Sequence, residues 1–151
     1  MSNMLVPHAP PSAGIARRRC TDELRARGFS GRLVDDAALV MSELVGNAIR
    51  HGVPLPVGGI RVVWEVHGAV LRLEVHDGGT GPQRQASAAW PGGGSTDAEH
   101  GRGLGIVAML TDVWGTSFDG DCAIVWAELP LRRSPGAEGE LEGQWDIRQE
   151  A

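Results

Sequence analysis

Glu43 and Asn47 stand four residues apart in the stretch MSELVGNAIRHG, Met41 to Gly52, whose other positions are mostly apolar. On an α-helix, residues 43, 47, 50 and 51 fall on one side, so a carboxylate, an amide, the Arg50 guanidinium and the His51 imidazole can be turned toward one spot. Mg2+ takes oxygen ligands, keeps several waters, and is usually held by few protein groups together with substrate phosphates. The Asn47 carbonyl meets that requirement. Glu43 is placed to accept a proton from a water or hydroxyl that attacks a γ-phosphoryl group. The structural alternative is that the two side chains hydrogen-bond each other or cap a neighbouring element, as buried polar groups commonly do.

Two glycine clusters add further signals. In VHDGGTG, Asp77 ends an alternating apolar run, and Gly79 and Gly81 follow it. A carboxylate at a strand end can accept a hydrogen bond from an exocyclic amine such as adenine N6, and glycines let a planar base come close to the backbone. Alone, Asp-Gly is ordinary turn chemistry. In GRGLG, the residues Gly101, Arg102, Gly103, Leu104 and Gly105 open directly into an apolar run, and free N–H groups at a helix start attract phosphate. The run is not GxGxxG and follows a loop instead of a strand, so the dinucleotide fingerprint fails on context.

These residues need elements to position them. Residues 1–12, with three prolines and no periodicity, read as a loose arm. Ala13 to about Arg27 reads as a helix with Ile15, Cys20 and Leu24 inward, ended by Gly28. A second helix starts near Leu33, carries Ala37, Met41, Leu44 and Ala48 on its apolar face, and stops at Gly52. IRVVWEVHG and VLRLEVHD form an antiparallel hairpin. Residues 77–103 make a long loop of about 25 residues, a length typical of lids and binding loops. A third helix runs from Leu104 to Thr111, and VWGTSF and CAIVWAELPL supply two more strands. The residues from Arg132 on read as a flexible acidic tail. Helices beside a mostly antiparallel sheet give an α+β, two-layer sandwich with helices on one face.

Composition removes several functions. All 14 basic residues are Arg. With no lysine, neither a P-loop nor the strand Lys of a eukaryotic-type protein kinase can be built, and Schiff-base chemistry is also excluded. A net charge of -5 argues against nucleic acid. Two cysteines, Cys20 and Cys122, are expected to be free thiols and cannot form a thiolate metal cage. No apolar run approaches the roughly 20 residues that span a bilayer, and the N-terminus lacks a signal-peptide layout, so a cytoplasmic protein is expected.

The order of the motifs is more specific than any one of them. A helix with E-x-x-x-N, a strand ending D-x-G-x-G, a long loop and G-x-G-x-G entering a helix together resemble the GHKL ATP-binding fold of gyrases and histidine kinases. More narrowly, the chain resembles the small bacterial anti-sigma-factor serine/threonine kinases. ELVGNAIRHG is similar to that family's N-box, VHDGGTG to its G1 box and HGRGLGIVAML to its G2 box. GIARRRCTDEL is similar to its first helix and VWAELP to its closing strand, so the resemblance covers Ala13 to Leu131.

This resemblance implies ATP and Mg2+ as cofactors. It puts Asn47 on the metal, Glu43 at the proton of the attacking group and Arg50 near the phosphates. Asp77 would bind the adenine amine, Gly79 and Gly81 would shape the base pocket, and residues 101–105 would wrap the phosphates as a lid over 82–100 closes. An anti-anti-sigma (STAS-domain) protein and a sigma factor are the implied partners, with a homodimer implied as well. Two departures stand out. Many members have a Thr near the closing strand that helps bind adenine, where this chain reads Ile124. The N-terminal strand that helps relatives dimerise is barely visible in MSNMLVPHAPP. Too little chain follows Leu131 for the extra domain that gyrase-type enzymes use, and none of the five histidines lies on a dimerisation helix of the sensor-kinase kind. The expectation is therefore a protein kinase; its alternative is an ATP-binding module that captures a protein without turnover.

Overall fold

The structure is a computed structural model that describes residues 1–79 and 100–131, with the side chains of 100–104 outside the description. In chain order the elements are β1 (Ser2–Val6), α1 (Ser12–Ala26), α2 (Arg32–His51), β2 (Ile60–His67), β3 (Val70–Asp77), α3 (His100–Leu110), β4 (Val113–Asp119) and β5 (Cys122–Pro130). The five strands make one sheet in the order β1-β2-β3-β5-β4, and every neighbouring pair is antiparallel.

Alternation builds the sheet's inner face. β3 presents Leu71, Leu73, Val75 and Asp77 inward, and β5 presents Ala123, Val125, Ala127 and Leu129. All of these but Asp77 and Ala123 join Val62 and Trp64 of β2 and the apolar stripes of α1 and α2 in one core. Each fully buried Leu or Val contributes roughly 1.5–3 kcal/mol. The expected α2 stripe of Ala37, Met41, Leu44 and Ala48 is buried throughout, widened by Val34, Val40 and Val45. The result is the α+β two-layer sandwich that the sequence implies.

α1 ends as its sequence requires. Gly28 takes φ +90°, its N–H donates to Arg25 O, and Phe29 N–H donates to Leu24 O. Those two bonds are a Schellman cap, with Phe29 packed back on the core. The inward set of α1 differs from expectation at one position. Cys20 and Leu24 are buried, but Ile15 is exposed and Ala16 takes its place. Small Ala16 lets the helix lie close to its neighbours.

The N-terminal residues also correct the sequence reading. Residues 1–12 are no loose arm: Ser2–Val6 form edge strand β1, in register with β2 from Ser2↔Trp64 to Val6↔Ile60. The proline-rich segment behind it is a braced turn. Ala9 N–H donates to Pro7 O, Ser12 N–H to Ala9 O, and the buried Ser12 hydroxyl to Pro7 O.

The sheet's outer face is polar. Arg72 donates to Glu74 (2.7 Å) and Glu128 (3.0 Å), and its guanidinium lies 4.3 Å from the Trp126 ring centroid. Burial by itself would raise the Glu74 carboxyl, but hydrogen bonds and charge from Arg72 and His76 outweigh it and hold the group below its usual range. Both cysteines are free. Burial, then the Glu23 charge, pushes the Cys20 thiol up to about 12. No described helix is long and apolar enough to cross a membrane.

Candidate functional site

α2 is the spine of the site. Its buried stripe points one flank at the core and leaves Glu43 and Asn47 half-buried beside it, with Arg50 exposed. Among the described residues, the side chains of Glu43, Asn47 and Arg50 make no hydrogen bond or ion pair. The two polar side chains do not pair with each other, so that structural alternative loses its simplest form. Arg50 folds back along the helix, where a Cβ on Gly46 would stand 3.1 Å from its Nη1. Gly46 thus leaves room for the Arg50 guanidinium beside the helix.

Asp77 is 1% exposed. Its Oδ1 accepts the Gly79 N–H at 2.7 Å, with Gly79 at φ +67°, a turn that glycine adopts without strain. The carboxylate lies against the end of α2. A Cβ on Gly52 would stand 2.6 Å from Asp77 Cγ and 2.7 Å from Ala48 O. Gly78 is as tightly held: its N–H donates to Val53 O at 2.8 Å, and a Cβ there would collide with Pro54 O. Residues 77–79 are thereby fastened to residues 52–54, joining the strand end to the helix end.

That joint fixes an order in space. Gly52 lies five residues beyond Asn47, about 7.5 Å along the axis, and nine beyond Glu43. A ligand with one end at Asp77 would lie along α2, passing Asn47 before Glu43. Gly52→Ala should therefore be costly despite an ordinary backbone conformation. Forcing a methyl against Asp77 should lower unfolding stability by roughly 1–3 kcal/mol. An unchanged denaturation midpoint would show that the joint is loose.

On β5, Ala123 faces the site and Ile124 does not. Ala123 is the register partner of Asp77, lies on the buried face, and would be 3.6 Å from a Cβ on Gly79. Ile124 pairs with His76 and Ser117 on the opposite, outer face. The side chain that β5 turns toward Asp77 is thus a methyl group, with no hydroxyl to offer a ligand. Next to it, burial and then the Asp77 and Asp119 carboxylates push the Cys122 thiol upward, so it stays protonated.

The glycine-rich GRGLG motif is helical here. α3 begins at His100, four residues before the expected Leu104, so Gly101, Gly103 and Gly105 lie in its first turns. α3 packs on α2 and is anchored by buried Val107. Gly81 and most of the lid over 82–100 lie outside the described residues, as does the tail from 132. Among the described residues there is no cluster of three His, Cys, Asp or Glu side chains fit for a metal. A cation here would rest on the Asn47 oxygen and on phosphate, which suits Mg2+.

Three residues of this region were not singled out in the sequence as parts of a site. Gly52 and Gly78 matter through close contacts between distant segments, and His8 reaches α2 from the proline-rich turn. The HG pair at the end of the N-box marked Gly52 as a helix stop but gave no sign of its contact with Asp77.

The family model of the histidine kinase-like ATPase domain matches residues 6–128, most of the chain. This chain belongs to the histidine kinase-like ATPase domain family. Among solved structures it is similar to the histidine kinase domain of the blue-light activated histidine kinase EL346 from Erythrobacter litoralis, at 27% identity and a TM-score of 0.46. The match covers 65% of this chain and 46% of that one, so the chain spans about half of that structure's length. Among curated proteins none matches.

Proposed function

We propose that this chain is a cytoplasmic, ATP-dependent serine/threonine protein kinase of the anti-sigma type, which phosphorylates an anti-anti-sigma (STAS-domain) protein and regulates a sigma factor by binding it. The observation that carries the reading is the joint at Gly52. It sets a buried carboxylate, Asp77, at one end of a helix whose next turns carry a half-buried amide and a half-buried carboxylate without partners among the described residues.

In this reading Asp77 accepts the adenine amine, Gly79 and Gly81 leave room for the base, and the triphosphate runs along α2. Mg2+ held by the Asn47 oxygen would neutralise phosphate charge. Arg50 and the free N–H groups of the first turn of α3, where the 101–105 motif begins, add to that neutralisation without any lysine. The hydroxyl oxygen of the protein substrate attacks the γ-phosphorus and its proton passes to the Glu43 carboxylate. The bond to the β–γ bridging oxygen breaks, and ADP leaves with that electron pair. A homodimer is proposed as well, with β1 at the sheet edge as its natural contact.

One observation favours the second reading, capture of a partner without turnover. Neither Ala123, which faces the site, nor Ile124, on the outer face, supplies a hydroxyl of the kind the resemblance puts near adenine, which points to weaker nucleotide binding. Ala123→Thr should restore one hydrogen bond, worth about 1 kcal/mol or roughly fivefold in affinity, while Ile124→Thr should change nothing. The reverse result in a nucleotide titration would put the adenine side on the other face of β5. The test of turnover is incubation with γ-labelled ATP, Mg2+ and candidate STAS proteins. Label on a serine or threonine of the STAS protein supports the kinase; a stable complex with bound ATP and no label supports capture.

A further inference from the structure

The proline-rich turn between β1 and α1 delivers a side chain to the far end of α2. His8 Nε2 lies 3.1 Å from Ala48 O and 3.0 Å from Gly52 O. Both partners are carbonyl oxygens and can only accept, so Nε2 carries the hydrogen and donates to both. Ala48 O already takes the Gly52 N–H at 2.9 Å. Gly52 O is a carbonyl at the helix end, of the kind that has no intrahelical partner. His8 satisfies it.

The turn that aims His8 is stiff. Pro7, Pro10 and Pro11 fix their own φ angles, and Ala9, Ser12 and the Ser12 hydroxyl close hydrogen bonds across the turn. The two carbonyls that His8 grips flank the joint described above. Ala48 follows Asn47, and Gly52 is the residue whose bare Cα makes space for the Asp77 carboxylate. A shift of the α2 terminus would therefore move Asn47 relative to Asp77, which belongs to β3.

We infer that His8 is a positioning residue of the nucleotide site: its Nε2–H clamps the C-terminus of α2 and so sets the distance between the Asp77 carboxylate and the Asn47 amide. The inference rests on the nucleotide-binding reading above. It assigns a role in ligand binding to a segment that touches neither the base nor the phosphates. Without the clamp, the Gly52 carbonyl turns toward solvent, the last turn of α2 loosens, and Asp77 loses the surface that fixes its aim.

The experiment measures ADP and adenosine affinity of the full chain by calorimetry, well below its melting temperature, for wild type, His8→Ala, His8→Gln and Met4→Ala. Losing a hydrogen bond that holds a helix end should weaken both ligands about tenfold in His8→Ala. His8→Gln, whose amide nitrogen can occupy the place of Nε2, should recover most of that loss. Met4→Ala removes packing from β1, the strand that leads into the turn, so it should lower the melting temperature with little change in affinity. If His8→Ala does not fold, the wild type decides through exchange of the His8 ring N–H, which saturating ADP should slow, and His8→Gln through its affinity, which should stay near wild type. Equal affinity in wild type and His8→Ala, or ring exchange indifferent to ADP, overturns the clamp alone. A wild type that binds neither ligand overturns the nucleotide reading, and the clamp's role with it.

Discussion

Asn47→Ala is expected to fold like the wild type and to lose Mg2+-dependent ATP binding. Asn47 sits half-buried on the flank of α2, between the buried stripe and solvent, so its removal opens no core cavity. Alanine is the better helix former by up to about 0.7 kcal/mol, which favours an intact α2. The loss should appear in the ligand alone. Even the groups that merely support metal ligands cost 10–100-fold in affinity when removed, and a direct ligand should cost at least roughly 100-fold. The decisive comparison is with chelation. Wild type in EDTA and the Asn47→Ala variant in Mg2+ should bind ATP equally weakly, while an affinity that still responds to Mg2+ in the variant would move the metal to another residue.

Glu43→Gln separates binding from chemistry. The amide keeps the shape of the carboxylate and its half-buried place one turn before Asn47. Nucleotide affinity should stay within a fewfold of wild type. Transfer to the protein substrate should fall by about 10²–10⁴, the usual worth of a positioned general base. A single-turnover measurement with saturating ATP reads that loss without interference from product release. Transfer at the wild-type rate would reassign the proton acceptor, and a parallel collapse of affinity would make Glu43 a binding group.

Much of the fold could be read from the sequence because its elements are periodic. VLRLEVHD and CAIVWAELP alternate so cleanly that β3 and β5 are found at the expected places, and the spacing from Ala37 to Ala48 marks the buried stripe of α2. The failures share a cause: each depends on a distant partner. β1 is five residues long and runs into prolines, and only pairing with β2, some sixty positions away, makes it a strand. Which way Ile124 faces is a matter of parity. A slip of one residue along a strand moves a side chain to the other face, and only the register Asp77↔Ala123 settles which face is which.

The glycine-rich motif misled in the opposite direction. Three glycines in five residues argue against helix by propensity, about 1 kcal/mol each relative to alanine, yet α3 includes them and packs on α2. For the site, residue type and spacing placed Glu43, Asn47 and Arg50 on one helix flank. They also put Asp77 at a strand end. What they could not supply was the joint: Gly52 and Gly78 act through contacts that no local pattern encodes, and His8 acts through two backbone carbonyls some forty residues on.

The central feature of the proposed site is a purine held at Asp77 beside the end of α2. Calorimetric titration of the full chain with Mg·ATP, against Mg·GTP as the control, tests it most directly. One saturable site per chain is predicted, with clear preference for ATP because the carboxylate can accept from an exocyclic amine but is repelled by a carbonyl in its place. Heat absent with both nucleotides, or equal affinity for the two, would contradict the account.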